Sequence, residues 1–460
     1  MKPVSRASTA TAVNANAMAA NAPAHAARHA AIDFGTSNSA VALPAAGGAV
    51  QLVDLEAGLP TMPTAVFYLA DGPLHAAEPG CLYGRAAIAA YVDGLDGRLM
   101  RSMKSILGSP LVEQSTDVGG GRALPYADII AGTLRHLKRL AEARAGHAIE
   151  QLVLGRPVFF VDDDPARDRR AEAALVAAAR RIGFADVRVQ YEPIAAALDH
   201  ESALVHEEIV LVADIGGGTS DFSVVRVGPA RRLRLERKDD ILANHGVHRA
   251  GTDFDRHLEL AVILPLLGHG ARGPAHEGGA PREVPSGVYF DLATWHLINT
   301  VYTPARLAEL RALRSWYADA ALYRRLMTVV QERLGHALAA AAEAAKIEVA
   351  SAGHARIDLG LVEPGQAVTL ADAQAAAAIE HDLERIAAAA RHAVALAGLA
   401  PERIDALYFT GGSTGLDALV QRIAAPFTAA RRVRGDRFAS VARGLGVHAA
   451  RVFGGGVAGR

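Results

Sequence analysis

The stretch Leu211-Val212-Ala213-Asp214-Ile215-Gly216-Gly217-Gly218-Thr219-Ser220-Asp221-Phe222 reads as an apolar strand, a turn of three glycines and a threonine, and a returning strand. A turn without bulky side chains lets backbone N–H groups approach phosphate oxygens, and the Thr219 hydroxyl adds a donor. Asp214, at the mouth of the turn, offers the hard oxygen that Mg2+ takes directly or through its retained waters. Working outward, the same grammar recurs over Ala30 to Leu43, where Asp33 precedes the turn Gly35-Thr36-Ser37-Asn38-Ser39. A third small-residue turn, Gly411-Gly412-Ser413-Thr414, follows the apolar run Ala406 to Thr410. Taken alone, each is an ordinary β-turn, and either aspartate an Asx cap. Three such turns after apolar strands, two of them opened by an acid, suit a metal-bound triphosphate. The Walker-A pattern and a G-x-G-x-x-G after a strand are both absent from the sequence, which disfavours those nucleotide folds.

Two similar strand-turn-strand units in 460 residues imply two similar lobes, since a chain this long exceeds what one core usually supports. With Lys+Arg 48 against Asp+Glu 49, the formal net charge is −1. That balance offers no general attraction for nucleic acid or for an anionic membrane. There is no uninterrupted apolar run of about 18 residues, the length a membrane helix needs. Residues 1–29 lack the apolar stretch of a secretory signal and read as a disordered leader. The single cysteine, Cys81, fits a reducing compartment, and the reading is cytoplasmic.

Between the turns, Leu152 to Phe160 reads as a strand and Pro165 to Ile182 as a helix, the alternation of an α/β layer. Gly268 to Pro285 is rich in Gly, Pro and His and reads as a surface loop. Residues 304–350 carry Leu307, Leu310, Leu313, Leu334 and Leu338 at helical spacing, buried stripes of a mostly helical part. One helix is expected over about Leu370 to Ala397, and a single short helix after the third turn.

The motifs resemble the DnaK-type heat-shock chaperones of the actin-like ATPase superfamily. Ala31-Ile32-Asp33-Phe34-Gly35-Thr36-Ser37-Asn38-Ser39 is similar to the family's first phosphate motif, and Leu211 to Phe222 to its second. Tyr191-Glu192-Pro193-Ile194-Ala195-Ala196-Ala197 resembles the motif connecting the lobes, and Gly251-Thr252-Asp253-Phe254-Asp255 the segment that opens the second lobe's outer part. Glu343-Ala344-Ala345-Lys346-Ile347-Glu348 and Phe409-Thr410-Gly411-Gly412-Ser413-Thr414 look like the adenosine-contacting motifs.

The resemblance implies an α/β, actin-like ATPase fold: two duplicated RNase H-like lobes around a nucleotide cleft, with a helical outer subdomain. It divides the chain into lobe I over 30–207 (outer part about 61–124, completed by about 436–453) and lobe II over 208–435 (outer part about 248–380). It implies ATP or ADP with Mg2+, and slow ATP hydrolysis. Asp33 and Asp214 would organise the hydrated metal. Thr36, Ser37 and Asn38 would meet the β- and γ-phosphates, and Gly216, Gly217, Gly218 and Thr219 would close the other side. Lys104, in Arg101-Ser102-Met103-Lys104-Ser105-Ile106-Leu107-Gly108, stands at the catalytic lysine's place, and Glu192 near the attacking water. Pro157 resembles the proline that reports nucleotide state. Glu343 and Lys346 would reach the ribose, and Gly411, Gly412 and Ser413 the adenosine. Plainer readings stand beside these: a surface lysine for Lys104, a helix-start carboxylate for Glu192, and an intrahelical ion pair for Glu343 with Lys346.

The pattern departs from the family at Gly415, where many relatives carry an arginine stacked on adenine. Residues 265–330, with Tyr289-Phe290-Asp291 and Trp295, are longer than in DnaK and resemble the YegD-like branch. DnaK continues into a peptide-clamping β-sandwich and a helical lid, and the expectation for this chain is that it carries neither. The resulting expectation is a nucleotide-driven switch and chaperone-like protein without its own peptide clamp, its lobe closure read by a protein partner or co-chaperone. The alternatives are a small-molecule kinase or phosphatase of the same fold and a filament-forming actin-like protein.

Overall fold

A computed structural model describes residues 28–45, 48–71, 80–107, 109–119, 121–161, 164–275, 281–436 and 439–454. The expected leader therefore lies outside the described residues, apart from Arg28 and His29, and His29 already opens the first strand.

Two large sheets organise the chain. The first contains β1 (His29–Phe34), β2 (Asn38–Pro44), β3 (Val50–Leu52), β4 (Thr61–Pro63), β5 (Gln151–Arg156) and β6 (Asp186–Tyr191). The second contains β7 (Glu208–Ile215), β8 (Ser220–Val227), β9 (Ile241–Val247), β10 (Ala406–Thr410) and β11 (Arg431–Arg434). Their orders are β6-β5-β1-β2-β3 and β11-β10-β7-β8-β9, with β4 pairing β2. In each, the first strand of the hairpin pairs antiparallel with its return and parallel with a strand that arrives by a crossover. The duplication is thus topological, as the repeated strand-turn-strand grammar implies.

Five helices matter to the site: α1 (Gly84–Val92), α2 (Glu192–Ser202), α3 (Gly251–Leu258), α4 (Gly335–Ala352) and α5 (Ser440–Phe453). Helices α2 and α5 pack on each other, and α5 also packs on β1, β2 and β5. Gly444 permits that crossing, since a Cβ there would lie 1.9 Å from the Ala195 carbonyl oxygen. A small sheet of Ala65–Leu69, Cys81–Tyr83 and Gly97–Arg101 carries α1 beside the first sheet, with its own core of Ala65, Phe67, Ala87 and Ala90. Beside the second sheet, α3 and α4 belong to a largely helical body whose core includes Phe254, Leu292, Leu326 and Leu338. Leu310 and Leu338 are buried, and Leu307, Leu313 and Leu334 pack partly buried against that core.

Several local expectations are corrected. The strand begun at Gln151 ends at Arg156, because Pro157 has no N–H to continue the ladder. The stretch 268–285 contains a short hairpin, Arg272–Ala275 with Pro281–Glu283, around 276–280, which lie outside the described residues. Leu370 belongs to a strand, Ala367–Ala371, and the expected long helix is two: Asp372–Ala378 and Glu380–Leu396. The break escapes a periodicity reading because the run before it, Ala375 to Ala378, is all alanine, which marks no face. After the third turn come a helix (Asp417–Ala424), β11 and α5, not one short helix. The strand Arg431-Arg432-Val433-Arg434 has too few apolar residues to announce itself and forms by parallel pairing at the sheet edge.

Candidate active site

The three turns converge. Gly35 allows the first to close, since a Cβ there would lie 2.2 Å from the Asn38 carbonyl oxygen. In the second, the Gly216 N–H donates to the Thr219 carbonyl at 3.0 Å. A Cβ on Gly217 would stand 3.0 Å from Ser37 Oγ, so the first and second turns face each other at close range. Gly411 of the third turn has φ +89°, and a Cβ there would lie 2.3 Å from the Ile215 carbonyl; only glycine fits. The Ser413 hydroxyl donates to the Gly216 carbonyl at 2.7 Å. Two donors of Thr252, N–H at 2.7 Å and Oγ1 at 2.8 Å, hold the Gly217 carbonyl. The second turn is thereby tied to the start of α3 and to the third turn. Ser413 serves here as a brace between turns.

Charge gathers at the same place. Lys104, on the 3-10 turn Met103–Ile106, and Glu192, first residue of α2, are 88 positions apart in sequence and form an ion pair at 2.5 Å. Lys104 is 8% exposed, which excludes the surface-lysine reading. Glu192 heads its helix, as the plainer reading held, but its carboxylate is engaged by Lys104. Gly155 makes room for it, since a Cβ there would meet Glu192 Cγ and Oε1 at 3.2 Å. Burial works against the lysine's charge, yet Glu192, Asp33 and Asp214 outweigh it and hold Lys104 above its ordinary value. Burial raises Asp33 to about 8, with Glu192 and Asp214 adding repulsion and Lys104 opposing. Burial raises Asp214 to about 7, reinforced by Asp221 and Glu192.

Asp221 is the residue that sequence reasoning missed. It pairs across the hairpin with Asp214, its carboxylate is hydrogen-bonded by Thr219, and burial with Glu192 raises it too. A Cβ on Gly246 of β9 would fall 2.5 Å from its Oδ1. The signal was available: a four-residue turn between Ile215 and Ser220 sets 214 opposite 221 on one face.

Two carboxylates pushed toward neutrality by burial, with neighbouring acids adding to the shift, are a fit for a divalent cation, whose charge would relieve them. Among the described residues no group of three or more His, Cys, Asp or Glu is placed to hold a metal. A pair of carboxylates beside hydroxyl-bearing turns suits an ion that keeps most of its water, the habit of Mg2+. Thr36 and Ser37 lie half-buried, and Asn38 exposed, on the opposite lip.

Beside the second and third turns, Lys346 Nζ pairs with Asp255 at 2.6 Å and donates to the Gly251 carbonyl at 3.2 Å. The partner is thus Asp255 of α3, not Glu343, which is exposed. Burial raises Asp255 to about 6 despite Lys346, with Glu343 adding to the rise. Pro157 follows directly on Arg156, whose guanidinium donates to the Pro157 and Val158 carbonyls at 2.9 and 3.1 Å and pairs with Asp168 at 2.8 Å. Arg156 also lies 5.0 Å over the Tyr191 ring, the residue before Glu192, so the proline segment and the Glu192 segment share one anchor.

The family model for Hsp70 protein matches residues 103–260, the span from the Lys104 turn through the second phosphate turn to α3. The chain is 31% identical over 229 residues to the Chaperone protein DnaK of Thermotoga petrophila and to that of Thermotoga maritima, and 29% identical to that of Thermosipho melanesiensis. Each alignment covers 49% of this chain and 34% of the relative, so it spans about a third of the length of the curated relatives. Among the described residues no helix is long and apolar enough to cross a membrane.

Proposed function

Because this chain carries an Hsp70-type segment and is related to DnaK-type chaperones, we propose that it binds ATP and ADP with Mg2+ between its lobes and slowly hydrolyses ATP. In this reading it is a nucleotide-driven conformational switch whose lobe closure is read by a protein partner. The observation that carries it is the Lys104–Glu192 pair, held among Asp33, Asp214 and Asp221 beside two facing glycine and hydroxyl turns.

Phosphoryl transfer to water is mostly a matter of positioning and charge stabilisation. The N–H groups of the second turn and the hydroxyls of Thr36, Ser37 and Thr219 bind and orient the phosphates. Lys104, kept cationic by its neighbours, offsets the charge that develops on the transferred group. Glu192 accepts the hydrogen bond of Lys104 and, through its remaining oxygen, can orient a water. Bound Mg2+, held by Asp33 and Asp214 through its waters, would supply charge neutralisation to the phosphates. Glu343 and Lys346 would meet the ribose, with Gly411 and Gly412 giving backbone access beside the base.

The test is phosphate release by purified protein with ATP and Mg2+, with calorimetry for nucleotide affinity. Release that proceeds without an added acceptor supports the reading. Absence of nucleotide binding, or consumption strictly dependent on a small-molecule acceptor, overturns it, as does ATP-dependent polymerisation in light scattering.

A further inference from the structure

The cleft has a far rim, where the small sheet and α1 of one side meet the helical body of the other. Each side has its own core, so their meeting is a contact between bodies and not an interior. At that meeting stands Trp295. Its ring stacks on Tyr91 of α1 with centroids 4.9 Å apart. The Arg101 guanidinium lies 4.4 Å from the Trp295 centroid. His336, at the start of α4, meets Trp295 edge-on at 5.0 Å and Tyr91 at 5.4 Å. The Tyr91 hydroxyl is hydrogen-bonded to Asn299, and a Cβ on Gly94 would lie 3.3 Å from Arg333 Nη1. His336 is buried with neither ring nitrogen partnered, so it acts as an uncharged aromatic wall.

This contact is wired to the site. Arg101 ends the strand that precedes Lys104, across Ser102, which holds the left-handed φ of 54°. Burial disfavours the Arg101 charge, and Glu343, the residue assigned to the ribose, is the main group favouring it. Arg101 thus stands at the rim, three residues before Lys104 in the chain and within electrostatic reach of Glu343.

We infer that Trp295, Tyr91, Arg101 and His336 form a clasp that holds the two lobes together over the cleft mouth and limits the rate at which nucleotide leaves. The clasp rests on the nucleotide reading for its gating role, but not for its existence. Aromatic stacking and cation–π attraction hold it, so removing the indole should open the rim on the order of tenfold more often.

Release is read with methylanthraniloyl-ADP displaced by excess ADP. Trp295→Ala and Tyr91→Ala should each speed release about tenfold, and Trp295→Phe should recover part of the loss. Wild-type release from Trp295→Ala with an unchanged melting temperature overturns the gate. The second arm needs no nucleotide. The chain has two tryptophans, so Trp316→Phe leaves Trp295 as the reporter. Acrylamide should quench it poorly, and better after Arg101→Ala. Free quenching before that change overturns the clasp itself. If labelled ADP does not bind the wild-type protein, the functional reading and the gate both fall, and the quenching arm still decides the clasp.

Discussion

The two hairpins that face each other across the cleft share topology but not chemistry. Asp33 pairs across its hairpin with Ala40, which is buried, whereas Asp214 pairs with a second acid, Asp221, beside open space. The second lobe therefore carries two acids at its turn, both with raised pKa values, while the first contributes one, with Lys104 and Glu192 beside it. The difference teaches that a duplicated sheet need not duplicate its chemistry. One copy supplies a pair of acids and the other a single acid beside a buried ion pair.

The largest effect is expected from removing the buried cation of the site. Lys104→Ala should slow ATP hydrolysis by about 10²- to 10³-fold with nucleotide affinity changed far less, as measured by single-turnover phosphate release and calorimetry. Equal losses in both would assign Lys104 to binding. Next comes the asymmetry itself. Asp221→Ala should weaken Mg2+ by about 10- to 100-fold, read by titrating Mg2+ against bound nucleotide; an unchanged midpoint would make Asp221 a bystander.

The pH dependence sharpens the comparison. His448, buried beside Gln190, is lowered to about 4, chiefly by burial and then by Arg451 and Arg237. Because the unfolded chain takes up the proton first, stability should fall as pH drops from about 6.5 to 4, on the order of 2 kcal/mol at the acid end. His448→Gln should flatten that limb of a melting-temperature profile. The acids act with the opposite sign. Asp33 and Asp214 are raised to about 8 and 7, so the native state holds protons that the unfolded chain has released. Metal-free stability should then decline as pH rises from about 4 to 8. Asp214→Asn should raise the metal-free melting temperature at pH 8, by on the order of 1 kcal/mol or about 2–4 °C, while weakening Mg2+. A lowered melting temperature would mean that Asp214 is needed for the turn more than for the ion.

How much was legible follows from the range of each interaction. Asp33, Asp214 and the three turns were readable because glycine turns obey local steric rules. Asp221 was readable from register and was passed over. The partners of Lys104 and Lys346 were not: Glu192 is 88 residues from Lys104, and Asp255 outcompetes the nearer Glu343. The alanine-rich run 372–396 hid a helix break because alanine marks no face, and the arginine-rich β11 hid a strand because its pairing comes from β10.

By itself, then, the sequence determined the duplicated strand-turn-strand units, the acids at their mouths and the glycines that let backbones approach. These depend on φ, side-chain size and alternation within a few residues. Only the tertiary structure decided which charges meet, that Ser413 braces one turn against another, and that Trp295 bridges the rim. Coulombic pairing, desolvation and ring stacking depend on distance in space, and the folded chain alone sets that distance.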